Sequence, residues 1–139
     1  MNFESLIKKM TRAAVQGNGA MVADCFTADG VYHDVFYGNF TGQDIARMIE
    51  DYFHRDGENF RWDIFEPVEQ RNMGYARYVF SYDSQLPDFQ EQRAIFEGVA
   101  ICQLRDGRIS DYREVATATT GLALMGFSSN KISKFIARE

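Results

Sequence analysis

The feature that most constrains the fold is a change of periodicity at Phe60. From this point apolar and polar residues alternate, which is typical of strands that bury one face. The links between the alternating segments are short, and Arg105-Asp106-Gly107 is a tight hairpin signal. Short links favour an antiparallel meander. The predicted strands cover residues 60–69, 73–85, 91–105 and 108–117.

Alternation also assigns the residues of the meander to the two faces of its sheet. An aromatic row on the second strand and an unbroken apolar row on the third should face the helices. On the last strand, Tyr112 and Glu114 fall on this inner side, with Arg113 outside. The inner residues of the second and third strands include Ala76, Tyr78, Phe80, Tyr82 and Phe96.

The opposite face of the third strand carries Ile95, Val99 and Ile101 among charged residues. Aliphatic side chains on an otherwise polar surface are typical of a partner contact. We therefore favour a homodimer that forms through this outer face. The alternative is a sheet face that is half exposed in a monomer.

The first half of the chain has the 3.6-residue periodicity of helices. One helix starts near Phe3 and ends at Gly17, and Asn18 begins a second, short one. A strand over residues 31–36 then places Tyr32, Asp34 and Phe36 on one face and His33 on the other. Gly38 and Asn39 end that strand, and Thr41 is a suitable N-cap for a third helix that Asp56-Gly57 terminates.

Length and charge limit the class of protein. A chain of 139 residues predicts one domain, covering 1–139. Residues 118–139 are expected to form a helical C-terminal extension that packs over the mouth of a pocket between the helices and the sheet, or against a partner. The net charge is −5 and no basic run occurs, so we expect neither nucleic acid nor a membrane as partner. No apolar run approaches the roughly 20 residues of a membrane span, and no signal peptide is recognisable, so a cytoplasmic location is expected.

The two cysteines and two histidines are too dispersed to suggest a metal centre. Cys25 and Cys102 lie far apart in apolar surroundings, and the histidines are His33 and His54 alone. We therefore expect no disulfide, no metal and no cofactor.

Three segments resemble the nuclear transport factor 2-like superfamily, and the SnoaL-like proteins in particular. They are FTADGVYHD (26–34), FTGQDIARMIEDYF (40–53) and DGRISDYREV (106–115). The resemblance implies an α+β fold, a cone-shaped barrel in which a curved, mostly antiparallel sheet wraps around three N-terminal helices. It is weak for function, because this fold hosts isomerases, cyclases, epoxide hydrolases, dehydratases and non-catalytic binding modules.

The resemblance also implies roles for two carboxylates. Asp34 occupies the place of the base of ketosteroid isomerases, but Met10 and Ala100 stand where those enzymes have their oxyanion donors. Glu114 occupies the place of an acid in epoxide hydrolases and polyketide cyclases, while Gly98 and Ala100 replace the Arg and Asp of the hydrolases. A steroid isomerase or epoxide hydrolase of the usual kind is therefore not expected. The cyclases need only one carboxylate base in an apolar, aromatic pocket.

These residues predict acid–base chemistry in an aromatic pocket. Asp34 and Glu114 would act as base and acid on a small, apolar, cyclic carbonyl substrate, without a cofactor. The alternatives are that Asp34 only bonds the backbone of the turn after it, and that Glu114 only pairs with Arg77. The protein would then be a non-catalytic module that binds a small apolar ligand or associates with a partner. The expected ligand-binding residues are Tyr32, Tyr52, Trp62, Tyr78, Phe80, Phe96 and Tyr112.

Overall fold

A computed structural model describes residues 2–86 and 93–117, together with the single residues Asn130 and Ser133. Helix α1 spans Phe3–Val15 and α2 spans Gly19–Asp24. The side chains of Asn2 and Asn18 cap these helices by accepting the backbone N–H groups of Ser5 and Met21. Each cap satisfies a backbone donor that has no partner within its own helix, and the cap at Asn18 is the one that the sequence predicts.

The third helical region consists of three consecutive pieces. It starts as α3 (Gln43–Arg47), continues as a π-helical segment (Met48–Phe53) and ends as the single turn α4 (His54–Asp56). Ile45, Met48 and Ile49 are buried, so the apolar stripe predicted for this helix faces the core.

Six strands form one sheet in the order β2-β1-β6-β5-β4-β3. All neighbouring strands are antiparallel except β1 and β6, which run parallel. The predicted α+β fold with a mostly antiparallel sheet is therefore confirmed. The strands are β1 (Phe26–Asp34), β2 (Gly38–Thr41), β3 (Gly57–Gln70), β4 (Met73–Ser84), β5 (Arg93–Arg105) and β6 (Arg108–Ala116).

Two predictions for the region after α2 were wrong. The strand starts at Phe26 and ends at Asp34, whereas the sequence pattern suggested 31–36. Thr41 is not a helix cap but the last residue of β2, which pairs with β1 as a hairpin. Gly42, with φ +54°, occupies the N-cap position of α3 instead. Glycine suits this backbone conformation, which other residues adopt only with strain.

The core lies between the helices and the inner face of the sheet. The buried side of α1, with Phe3, Ile7 and Met10, packs in one cluster with Tyr78, Ala100 and Tyr112 of the sheet. A smaller cluster is built from Ala94 and Phe96 of β5, and Phe36 packs against it. The predicted inner face of the meander is thus the face that is buried.

The predicted extension 118–139 lies outside the described residues except for Asn130 and Ser133. Among the helices that the structure describes, none has both the length and the apolar character needed to cross a membrane.

Candidate active site

A cavity lies where β1, β4, β5 and β6 meet the C-terminal end of the third helical region. Its free volume is about 40 Å³. This is room for a few water molecules, since one needs roughly 10–15 Å³ by the same measure. The described residues that line it are mostly aromatic: Tyr32, Phe36, Tyr37, Phe53, Phe60, Trp62, Tyr78, Phe80, Tyr82 and Phe96, with Asp34, Val35, Asp56, Glu114 and Ala116.

Asp34 enters this cavity from the end of β1. Only 8% of the residue is exposed. Its Oδ2 accepts two hydrogen bonds of 2.9 Å, from the backbone N–H groups of Phe36 and Tyr37. Burial raises the pKa of Asp34 to about 6, although the two amide bonds act in the opposite direction. The carboxylate therefore bonds the following turn and lines the cavity at the same time, so the two expectations for Asp34 do not exclude each other.

Glu114 enters from β6, which lies parallel to β1. It is partly buried, and its Oε2 accepts a short hydrogen bond from the hydroxyl of Tyr78 on β4. Burial and the nearby Asp34 charge raise the pKa of Glu114 to about 8, and the bond from Tyr78 counteracts them in part.

The alternative pairing of Glu114 with Arg77 does not occur. Arg77 lies on the outer face of the sheet, where its guanidinium is 3.4 Å from Glu66 and 3.5 Å from Glu97. The two residues are on opposite sides of the sheet because the side chains of a strand alternate between its faces.

Two close approaches shape the surroundings of Glu114. Gly98 of β5 lies beside Tyr78 and Ala116, and a methyl group in its place would lie 2.9 Å from the Tyr78 hydroxyl. Tyr32 stacks on Tyr112 with ring centroids 4.6 Å apart. The pKa values of both tyrosines are raised well above the ordinary value, chiefly by burial, so their hydroxyls stay protonated.

The predicted ligand-binding residues divide into two groups. Tyr32, Trp62, Tyr78, Phe80 and Phe96 line the cavity together with both carboxylates. Tyr52 and Tyr112 are not among its lining residues. Tyr52 packs behind the cavity against Tyr37, and Tyr112 is fully buried, with a hydroxyl that has no hydrogen-bond partner among the described residues.

Sequence reasoning missed Tyr37 and Asp56, which also line the cavity. The Tyr37 hydroxyl donates a hydrogen bond of 2.7 Å to Asp56 Oδ2, between residues 19 positions apart. No local pattern connects these two positions. His33, by contrast, lies on the outer side as expected, with its ring nitrogens 2.9 Å from Asn39 Oδ1 and 2.8 Å from Asp111 Oδ1.

Comparison with known proteins assigns a family to this arrangement. The model of the SnoaL-like domain matches residues 7–112, which is most of the chain. The chain belongs to the SnoaL-like domain family. No curated protein matches it in sequence.

Solved structures show how widely this SnoaL-like fold is shared. A protein with a ketosteroid isomerase-like fold from Catenulispora acidiphila, in complex with trimethylamine, is similar with a TM-score of 0.77 and 16% identity, over 90% of this chain and 95% of that one. IdmH from Streptomyces antibioticus, described as a candidate polyketide cyclase, is similar with a TM-score of 0.70 and 15% identity, over 89% of this chain and 98% of that one. An epoxide hydrolase of the LEH-like type from M. tuberculosis is similar with a TM-score of 0.70 and 14% identity, over 87% of this chain and 86% of that one. Similarity at these identities establishes the fold of this SnoaL-like domain and leaves its substrate open.

Proposed function

We propose that this SnoaL-like domain is a cofactor-independent enzyme of the cyclase or isomerase type, with Asp34 as general base and Glu114 as general acid. One observation carries the proposal: two carboxylates with different proton affinities line the same aromatic cavity. With pKa values of about 6 and about 8, Asp34 is mainly ionised and Glu114 mainly protonated at neutral pH. Such a pair provides a base and an acid at the same pH.

The chemistry that this pair supports is enolisation of a carbonyl compound. Asp34 takes a proton from the carbon next to the carbonyl, and the C–H electron pair moves into the new C=C bond. Glu114 gives its proton to the carbonyl oxygen, which becomes an enol. In enzymes where a donor to this oxygen has been removed, the loss of transition-state stabilisation is roughly 2.7–4 kcal/mol. Burial makes the donor effective because little water competes for the oxygen.

The enol then has two outcomes. If Asp34 returns its proton to a different carbon of a conjugated substrate and Glu114 recovers its own, the double bond has moved, which is an isomerisation. If the enol carbon attacks a second carbonyl of the same molecule, a C–C bond forms and a ring closes, which is a cyclisation. The enol O–H proton then returns to Glu114 as the first carbonyl re-forms, and the proton held by Asp34 goes to the oxygen of the second carbonyl, which becomes a hydroxyl. Both outcomes restore the two carboxyl groups. The apolar, aromatic walls favour a small, largely apolar cyclic carbonyl compound as substrate.

The proposal is tested with Asp34→Asn and Glu114→Gln, which keep the shape of each side chain and remove its titration. A thermal-shift screen of cyclic ketones and polyketide-like rings would first identify ligands, because a ligand raises the melting temperature of the state that binds it. Turnover of each ligand is then followed by exchange of its α-protons with deuterated water. We expect exchange in the wild type and in Glu50→Gln, an exposed control, and a loss of about 10²-fold or more in the two site variants. Undiminished exchange in both site variants would contradict the proposal.

A second candidate function is the binding of a small organic ammonium ion without turnover. The described residues that line the cavity include many aromatic rings, no basic side chain and three acids, of which Asp56 is paired with Arg55 and Asp34 and Glu114 make no described salt bridge. Aromatic walls with negative charge are the usual surroundings of bound methylammonium groups. The similar structure from Catenulispora acidiphila was solved with trimethylamine.

The two candidates are separated with a pair of nearly isosteric ligands. Choline carries a quaternary ammonium, and 3,3-dimethylbutan-1-ol has a neutral carbon in its place. Titration calorimetry at pH 8 should show binding of choline alone if the cavity is a cation site. If the neutral alcohol binds equally well, the cavity selects apolar groups and the cation site is ruled out.

A further inference from the structure

The turn between β1 and β2 determines the surroundings of Asp34. Residues 35–37 connect Asp34, the last residue of β1, with Gly38, the first residue of β2. Both described hydrogen-bond donors to the Asp34 carboxylate are amides of this turn, those of Phe36 and Tyr37. Hydrogen bonds to an ionised carboxylate are stronger than those between neutral groups. Any movement of the turn therefore changes the stabilisation of the Asp34 charge.

Side-chain contacts attach this turn to the end of the third helical region. The Tyr37 hydroxyl donates to Asp56 Oδ2 at 2.7 Å. The Tyr37 ring stacks on Tyr52 with centroids 5.4 Å apart and also contacts Phe53 at 5.9 Å. The turn thus has an anchor outside its own hairpin, 19 residues along the chain.

The acceptor of this anchor is itself fixed. Arg55 Nε and Nη2 donate to the two oxygens of Asp56 at 2.7 and 2.9 Å, and the Arg55 guanidinium lies 5.2 Å from the centre of the Tyr52 ring. Burial acts to raise the pKa of Asp56, but the hydrogen bonds from Arg55 and Tyr37 outweigh it and hold that pKa below the ordinary value. Burial raises the pKa of Tyr37, so its hydroxyl remains a donor. The Tyr37–Asp56 bond therefore persists across the neutral pH range.

We propose that Tyr37, anchored by Asp56 and Arg55, is a positioning residue that holds two amide donors on Asp34 and keeps the turn closed over the cavity. This inference rests on the proposed function only in naming Asp34 as the base. A free volume of about 40 Å³ is too small for a ring compound, so a wall must move for one to enter. The turn contributes Val35, Phe36 and Tyr37 to that wall, and release of the Tyr37 hydroxyl frees it.

The proton affinity of Asp34 provides a direct readout of the anchor. The described titratable side chains that line the cavity with Asp34 are acids and phenols, so no cation among them compensates its charge if the amide donors are lost. They are Tyr32 on β1, Tyr37 in the turn, Asp56 in α4, Tyr78 and Tyr82 on β4, and Glu114 on β6. The basic side chains of His33 and Arg113 line a separate open groove beside Asp34, and both are unchanged in the variants compared below.

The test is a carboxyl ¹³C NMR titration of Asp34 in the wild type, in Tyr37→Phe and in Tyr75→Phe. Tyr75 is 39% exposed on β4, away from the cavity, so its variant controls for the loss of a phenol hydroxyl. In Tyr37→Phe we expect the pKa of Asp34 to rise by about one, a tenfold gain in proton affinity, because the amide bonds weaken. In Tyr75→Phe the pKa should stay at its wild-type value. An equal Asp34 pKa in the wild type and Tyr37→Phe would overturn the inference.

The closure of the turn has its own readout in Trp62, the single tryptophan of the chain, which lines the cavity. Acrylamide should quench its fluorescence about twofold more efficiently in Tyr37→Phe than in Tyr75→Phe. Equal quenching would overturn the closing role. If Tyr37→Phe fails to fold, Asp56→Ala replaces it, since alanine has no acceptor for the Tyr37 hydroxyl; an Asp34 pKa unchanged in that variant would equally overturn the inference. None of these measurements needs a substrate, so they remain decisive even if Asp34→Asn retains turnover and the enzyme proposal fails.

Discussion

Replacement of Glu114 by glutamine should stabilise the protein, and increasingly so as the pH rises. The pKa of Glu114 is about 8 in the fold, against 4.5 for the unperturbed side chain. Between these values the folded state binds more protons than the unfolded state, so the free energy of unfolding falls as the pH rises. Below pH 4.5 both states are protonated and this contribution vanishes. Above pH 8 both are ionised, and the destabilisation is complete.

The magnitude follows from the difference of about 3.5 between the two pKa values. At about 1.4 kcal/mol for each pKa unit, the upper limit is about 5 kcal/mol, and water that enters the cavity on ionisation reduces it to about 2–5 kcal/mol. For a chain of this length 1 kcal/mol corresponds to roughly 3–5 °C in melting temperature. Glu114→Gln should therefore melt roughly 10 °C above the wild type at pH 9, and at nearly the same temperature as the wild type at pH 4.5.

The assay is urea denaturation and thermal melting at half-unit steps from pH 4.5 to pH 9, in the wild type, Glu114→Gln and Glu50→Gln. Glu50 is exposed on the π-helical segment, so its variant should follow the wild-type curve throughout. A constant difference between Glu114→Gln and the wild type over this pH range would refute the reasoning. It would show that Glu114 ionises in the fold as easily as in water. Glu114 would then carry no proton at neutral pH and could not act as the general acid.

Three further changes test other parts of the structure. Asp34→Asn should lower the pKa of Glu114 in an NMR titration, because it removes a repelling charge, and an unchanged pKa would show that the carboxylates do not interact. Gly98→Ala should lower the free energy of unfolding by about 1–3 kcal/mol in urea denaturation. Its methyl group would lie 2.5 Å from a carbonyl oxygen of β6, so undiminished stability would contradict the packing described there. The homodimer through Ile95, Val99 and Ile101 remains a prediction. Light scattering should find a dimer that Val99→Glu converts to monomer and that Val68→Glu, on edge strand β3, leaves intact; a monomeric wild type would contradict it.

The meander and its inner face were predictable because each depends on local information. Alternation over ten or more residues fixes which side chains share a face, and short hairpins fix which strands are neighbours. Tyr78, Phe80 and Phe96 were therefore assigned correctly to the side that is buried or lines the cavity. Pro67 cannot donate a backbone hydrogen bond, and it lies where the pairing of edge strand β3 is irregular, between Phe65 and Val68.

The β1–β2 hairpin was not predictable in the same way. Strand β2 has only four residues with an alternating, half-exposed pattern, which is too short for a period to be recognised. Thr41 has the chemistry of a helix cap, and only the pairing of Val31 with Thr41 reveals its place in a strand. The contact between Tyr37 and Asp56 depends on the position of the whole third helical region above the turn. Sequence periodicity contains no information on that distance.

The parallel pairing of β1 with β6 joins parts of the chain about 80 residues apart, as the contact between His33 and Asp111 shows. Contacts this distant in sequence form late, because the intervening chain must lose entropy before they give any stabilisation. We therefore expect the two carboxylates to approach each other only when the sheet closes, after the transition state for folding. Their repulsion and desolvation would then affect unfolding alone: between pH 5 and pH 8 the refolding rate should be nearly constant, while the unfolding rate increases.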